Sequence, residues 1–371
     1  MSSYFDFYCK NIENYGNHDT DLIHGTCYSM CPQDEIHLRE KENLVHVLEV
    51  VGSERKLVKS YCRSAADSNM AIPHHLRPYS VLKGTMEYLI FEVAKRTDVP
   101  LSVVYDFVND RLRAVRQDIT IQRLQPAECA QLLEPMVRFY VYFGYRLHGL
   151  PLRDYDPILN KKYLLECIKW FLSCCDSKMQ TNGNQDELSY QMDGLRVNEN
   201  QQLSYDRVLI ENLYILCNLD DVHPLFRYNT LPKDLKKDSR LQLAYNVASA
   251  NLKGNFVQIA KLLNQLCPLS YCAVCLQLPA IQKRALGVLC HAYNSKRLTV
   301  PSAALRRWLA LASDWEARAV CQHYGLPLHD RAVRFDKGDF KPDAPMHSPK
   351  IQLLDDGRLN LNMEYVFTYK L

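Results

Sequence analysis

The chain has 371 residues, 47% hydrophobic and 23% charged, the composition of a folded globular protein rather than a disordered one. Its 45 Lys and Arg against 42 Asp and Glu leave a net charge of +3, which excludes binding of nucleic acid by bulk charge and confines any basic surface to a local patch. Only 13 glycines are present, too few for a turn-dense all-β protein, and at about 150 residues per domain the length predicts two to three domains.

Residues 1–24 are polar, lack the apolar core of a signal peptide and read as a flexible lead-in. No stretch reaches the ~20 apolar residues of a membrane span, so no membrane partner is expected. The 14 cysteines lie largely in apolar helical runs, as at Cys167, Cys217, Cys290 and Cys321. This is the pattern of buried thiols in a reducing intracellular compartment.

A compact turn over residues 24–32 precedes a helix predicted from Gln33 to Val51 and stopped by Gly52. Further helices are predicted over 79–96 and 99–123. In the second of these, Val104, Val108, Leu112, Val115 and Ile119 recur at spacings of three and four, marking one buried stripe. Pro126 suits a first helical position, and Pro135 predicts a kink or break in the run 128–147. Asp156-Pro157 reads as an N-cap opening a helix to about Cys175. The stretch 176–202, rich in Asn, Gln and Asp, reads as a long polar loop. Helical patterning resumes over 203–219, 239–251, 256–266 and 280–293, with a short turn at Gly254-Asn255 that makes two of these helices antiparallel neighbours. Short helices over 301–311 and 314–324, the latter closed by Gly325, come before a strand at 332–335 and a hairpin of 351–354 with 359–367. The fold expected is mainly α: a helical-repeat solenoid over 25–294, and a winged helix with a small β-sheet over 295–371.

Metal and catalytic readings are weak. His24, Cys27, Cys31 and His37 carry zinc-ligand chemistry, but their spacing is not that of a finger and a buried turn is preferred. Cys267, Cys272, Cys275 and Cys290-His291 lie among Leu, Val and Ala and read as core thiols. No phosphate loop, dinucleotide turn, nucleophile elbow or zincin helix occurs, so neither enzyme nor cofactor is expected. Arg111, Arg113 and Arg116, interleaved with Asp106, Asp110 and Asp118, read first as an ion-paired helix face and second as a partner-binding surface. Near the C-terminus, Arg306, Arg307, Arg318, Arg331, Arg334, Lys337 and Lys341 against Asp314, Glu316, Asp330, Asp336 and Asp339 give 7 − 5 = +2. The second short helix opens on acids, which argues against base reading. Phosphate contact and protein contact both stay open.

Four ordered blocks carry a resemblance. Gly25-Thr26-Cys27-Tyr28-Ser29-Met30-Cys31-Pro32 with Glu35 and Arg39 resembles the opening motif of the SAC/GANP family, the germinal-centre-associated nuclear protein group. Tyr61, Arg63, Ser64 and Asp67 are similar to its second block, and Arg77-Pro78 precedes a helix as in the family. Asp106, Phe107, Arg111, Arg113, Arg116 and Asp118 match its most distinctive helix, and an alanine-rich helix pair around 244–256 is similar too. The resemblance implies a PCI-type scaffold of TPR-like helix pairs ending in a winged helix. It also implies assembly with a second PCI-domain protein and a small acidic subunit in nuclear messenger-RNA export, with RNA or single-stranded nucleic acid as a further partner. In length the chain resembles short members associated with centrosome duplication and the mitotic spindle, so centrosomal proteins are the alternative partners. Nucleus and cytoplasm are the expected locations, with centrosome or spindle as the alternative. The family blocks themselves read as architectural, with Arg63, Asp67, Arg77, Arg111 and Arg116 expected in a buried polar network.

Overall fold

A computed structural model describes residues 23–63, 72–182, 205–347 and 366–367, without the side chains of 178–182. It is mainly helical, with a small antiparallel sheet towards the C-terminus. No helix among the described residues is long and apolar enough to cross a membrane. The chain forms two compact units, one from residues up to Phe143 with Leu152–Arg207, the other from Gly144–Pro151 with Val208–Val366.

In the first unit, helix α1 covers only Gln33–Lys41, not the whole of 33–51. Asn43 adopts a left-handed conformation (φ 55°) and the Leu44 N–H turns back to the Arg39 carbonyl, which ends the helix. The chain then makes a 3₁₀ turn at Val47–Glu49 and a two-stranded hairpin, β1 Val50–Val51 with β2 Glu54–Arg55. Gly52 serves that hairpin turn at φ 64°, rather than stopping a helix. A continuous helix is unavailable because Glu49 is drawn inside, fully buried, by charged partners. Helix α2, Tyr79–Tyr88, ends in a π-helical turn, Leu89–Val93. Helix α3, Leu101–Gln122, buries the predicted stripe. Helix α4, Pro126–Leu147, begins at Pro126 and runs through Pro135 without the expected break. Proline there forfeits one backbone hydrogen bond, while Leu132, Leu133, Met136, Val137 and Phe139 around it are all buried and hold the helix together. Helix α5, Pro157–Asn182, is capped by Asp156, whose Oδ1 accepts from the Ile158 and Leu159 N–H groups at 2.9 and 3.0 Å. It extends past Cys175, so 176–182 are helix and not loop; the rest of that polar stretch lies outside the described residues.

The second unit contains α6 Arg207–Leu216, α7 His223–Thr230, α8 Lys233–Lys236, α9 Ser239–Leu252, α10 Phe256–Leu262, α11 Pro268–Cys275 and α12 Leu278–Ala292. Helices α9 and α10 pack on each other across Gly254, with Asn255 capping α10 through the Gln258 N–H at 3.0 Å. Helices α7, α8 and α11 were not anticipated; the first two are short, and α11 is apolar all round and carries no helical period. After α12 come β3 Thr299–Pro301, α13 Ser302–Trp308, α14 Asp314–His323, β4 Leu328–His329 and β5 Ala332–Arg334. Strand β5 is central in the order β3-β5-β4, with Val300 opposite Val333 and Leu328 also opposite Val333. One apolar core joins this segment to α12: Leu286 and Leu289 meet Val300, Leu305, Val320, Val333 and Phe335. Of the expected C-terminal hairpin only Val366 and Phe367 are described, and their backbone is helical instead of extended.

Candidate functional site

The polar side of α3 faces inward. Its Arg111, Arg116, Gln117, Asp118, Thr120 and Gln122 are buried, and Arg111, Gln117, Asp118 and Gln122 hold segments of chain outside the α-helices. Three ion-pair centres result. At the first, Glu49 accepts from Arg39 Nη2, from Arg111 Nη2 at 3.2 Å, and from the Val58 and His46 N–H groups at 3.0 and 3.1 Å. Burial pushes the Glu49 carboxyl up, but these four donors outweigh it and hold the group below the usual carboxylate range. The Arg111 guanidinium lies 4.3 Å over the Phe107 ring, which stacks on His46. Burial, with Arg111 beside it, lowers the His46 pKa.

At the second centre the fully buried Asp118 receives Arg77 Nε at 2.7 Å and Lys59 Nζ at 2.6 Å. Arg77 Nη1 and the Lys59 N–H both donate to the Met30 carbonyl, at 3.3 and 3.0 Å. Gln122 bridges the same segments: its Nε2 donates to the Arg77 carbonyl and its Oε1 accepts from the Gly25 N–H, both at 2.8 Å. Gly25 is required here because a Cβ would sit 2.3 Å from the Leu76 carbonyl oxygen. At the third, Arg116 Nη1 reaches Glu166 at 3.2 Å while its plane lies 5.0 Å over Tyr163. Arg113 stacks 3.7 Å over Tyr61, whose N–H donates to Asp110.

The family-like residues therefore divide. Cys27 and Cys31 are buried, Pro32 and Pro78 stand immediately before α1 and α2, and Arg39, Arg77, Arg111, Arg116 and Asp118 lie in the interior. The reading of Arg111 and Arg116 as a partner-binding surface is corrected by their burial. Arg63 is exposed and outside the network, contrary to expectation, and Asp106 is exposed as well. Ser64 and Asp67 lie outside the described residues. Neither cysteine set brings three metal-ligand atoms together among the described residues. His24 and His37 point to solvent, and burial raises the Cys31 thiol well above its ordinary value. Beside Gln117, a groove of 540 Å³ is lined by Leu38, Lys59, Tyr61, Arg63 and His75, among others.

The C-terminal basic residues occupy a different setting. Arg306 lies 3.4 Å from Asp314 and Arg334 3.2 Å from Asp339. Arg307, Arg331 and Lys337 are exposed and Arg318 is half-buried, with no ion pair to any of the four among the described residues. Glu316 is not a surface acid. It caps α14 by accepting from the Ala312 N–H at 2.6 Å while Ser313 Oγ accepts from the Glu316 N–H, and burial raises its pKa. Between the two acids stands Trp315, 71% exposed, which the sequence reading passed over; a tryptophan in a capping-box first turn was the available signal.

The description "SAC3/GANP family" belongs to the family model that matches residues 30–330. The chain is 29% identical to Protein xmas of Drosophila melanogaster over 82% of its own length and 15% of that protein's. It is 26% identical to SAC3 family protein 1 of Schizosaccharomyces pombe (86% and 32%) and 23% identical to SAC3 family protein B of Arabidopsis thaliana (85% and 18%). The chain thus spans less than a third of the length of each of these relatives.

Proposed function

The chain belongs to the SAC3/GANP family, and from that premise we propose that it is a non-catalytic scaffold of nuclear messenger-RNA export that contacts RNA through its C-terminal cap. We read the helix pairs up to α12 as a PCI-type repeat and the segment from β3 to β5 as a winged helix. The order strand, helix, helix, two-stranded hairpin and the sheet order β3-β5-β4 support that reading. A second PCI-domain protein and a small acidic subunit are the proposed partners.

The observation that carries RNA contact is that the C-terminal segment exposes both Trp315 and the unpaired Arg307, Arg331 and Lys337, with Arg318 half-buried. An exposed indole offers a face on which any base stacks, and arginines supply phosphate contacts without sequence preference. Fluorescence anisotropy of the whole chain with single-stranded RNA, at stepped salt, tests it. Binding is expected to weaken as salt rises, with a slope of about −0.7 per phosphate contacted. Arg307→Glu with Arg331→Glu should flatten that slope, and Trp315→Ala should weaken binding without altering it. Absence of binding at low salt removes the RNA contact and favours an adaptor that acts through protein contacts alone, for which co-purification with centrosomal proteins is the corresponding assay.

A further inference from the structure

Asp34, His74 and His75 come together at the edge of the groove in the first unit. Asp34 is in the first turn of α1, and the histidines are in a 3₁₀ turn, Pro73–His75, that leads to α2. Asp34 Oδ2 lies 3.2 Å from His75 Nε2 and 3.7 Å from His74 Nε2, and one ligand atom from each residue lies within 4.8 Å of the others. The two imidazoles meet edge to face with centroids 4.4 Å apart.

We propose that these three side chains form a zinc site that ties the start of α1 to the turn before α2. The distances suit the ion. Ligands 2.0–2.1 Å from a tetrahedral centre stand about 3.3–3.4 Å apart, so the two carboxylate–imidazole separations bracket the required value. The remaining imidazole–imidazole gap closes by rotation of His74, whose side chain is 63% exposed. Two imidazoles and a carboxylate, with no thiolate, select Zn²⁺ over Mg²⁺ or Ca²⁺, which take oxygen ligands. The turn is held in place before any metal arrives: the His75 N–H donates to the Ile72 carbonyl at 3.0 Å, and the His75 carbonyl accepts from Lys59 Nζ at 2.6 Å. Lys59 is itself engaged by Asp118, which fixes its ammonium between that carboxylate and the turn. Water completes the fourth position. Asp34 and His75 also line the groove, which places this open position where an occupant of the groove can replace the water. The site is independent of RNA contact.

Titration of the whole chain with Zn²⁺, followed by calorimetry and by metal content after gel filtration, tests the assignment. One equivalent is expected to bind saturably and to raise the melting midpoint. Asp34→Asn and the double variant His74→Ala, His75→Ala should each weaken binding by at least about tenfold, which is already the cost of losing an outer-shell partner. His329→Ala, in the other unit, should leave it unchanged. Because the chain holds 14 cysteines, Co²⁺ replaces Zn²⁺ in a second measurement: visible d–d bands without a thiolate-to-cobalt charge-transfer band support the imidazole–carboxylate set. Failure of the chain to bind one equivalent, retention of affinity in the double variant, or a thiolate band in the cobalt spectrum overturns the site and leaves Asp34 and the histidines as an ordinary hydrogen-bonded surface cluster.

Discussion

The interior of the first unit and the C-terminal cap of the second place similar arginines in opposite ways. In the first, arginines and carboxylates are interior: Glu49, Arg77, Arg116 and Asp118 are each no more than 1% exposed; Glu49, Arg77 and Asp118 join irregular segments to α3, and Arg116 joins α5 to it. In the second, the core under the small sheet is almost wholly apolar, from Leu286 to Phe335, and Arg307, Arg331 and Lys337 stand in solvent. The difference teaches what each arrangement is for. Desolvating an ion pair costs roughly what its attraction returns, so the interior network adds little net stability, but removing one partner is severe because a buried charge is stranded. It specifies a single path for loops that have no sheet or helix ladder of their own. The surface cations bear no such weight and are available to a partner.

That contrast can be broken most forcefully at Glu49. Glu49→Ala removes the shared acceptor of Arg39, Arg111 and two N–H groups, leaving the arginines only the more exposed Glu35 and Asp110 as carboxylate partners, and should cost about 4 kcal/mol, within the range for a broken buried pair. Urea denaturation should show a lowered midpoint or no folded baseline; a shift under 1 kcal/mol, the size expected of an exposed pair, would refute the interior role. Arg111→Ala comes next, at about 3 kcal/mol, since Arg39 still neutralises Glu49. An unchanged melting midpoint would discard its structural part.

Acid should loosen the first centre in two stages. The folded His46 pKa is below its ordinary 6.5, so the unfolded chain takes the proton more readily, and stability falls as pH drops below 6.5. The Glu49 pKa is also depressed, so its contribution is intact above the ordinary value of 4.5 and is lost as pH falls through the folded value. His46→Asn, which retains an acceptor for the Leu48 N–H, should remove the upper stage while leaving the lower one, as followed by melting midpoints across pH. The smallest expected effect is at the cap: Arg307→Glu with Arg331→Glu should change stability by no more than about 0.5 kcal/mol in either direction. A large loss there would mean that the cap's cations are structural too, and the contrast between the units would collapse.

Much of the fold was legible because the signals are local. The stripe of α3, the Asp156-Pro157 cap and the Gly254 turn each depend on neighbouring residues along the chain, whatever surrounds them. The early end of α1 was not legible, since Glu49 leaves the helical path to meet Arg111, 62 residues away. The uninterrupted α4 was hidden as well, because the cost of Pro135 is local and visible while the packing that offsets it is not. On the candidate sites, the positions of the family-like residues could be read, but not which of them face inward. Arg63 and Arg77 look alike as letters; one lines a groove and the other is fully buried against Asp118.

By itself the sequence determined a helical protein with a small C-terminal sheet, its buried thiols and its family, since periodicity, caps and ordered motifs are properties of short segments. Only the tertiary structure decided which charges became interior links and which stayed on the surface, and it alone brought Asp34 beside His74 and His75. Burial and pairing depend on side chains that arrive from distant parts of the chain, and a charge enters the interior only where such a partner meets it.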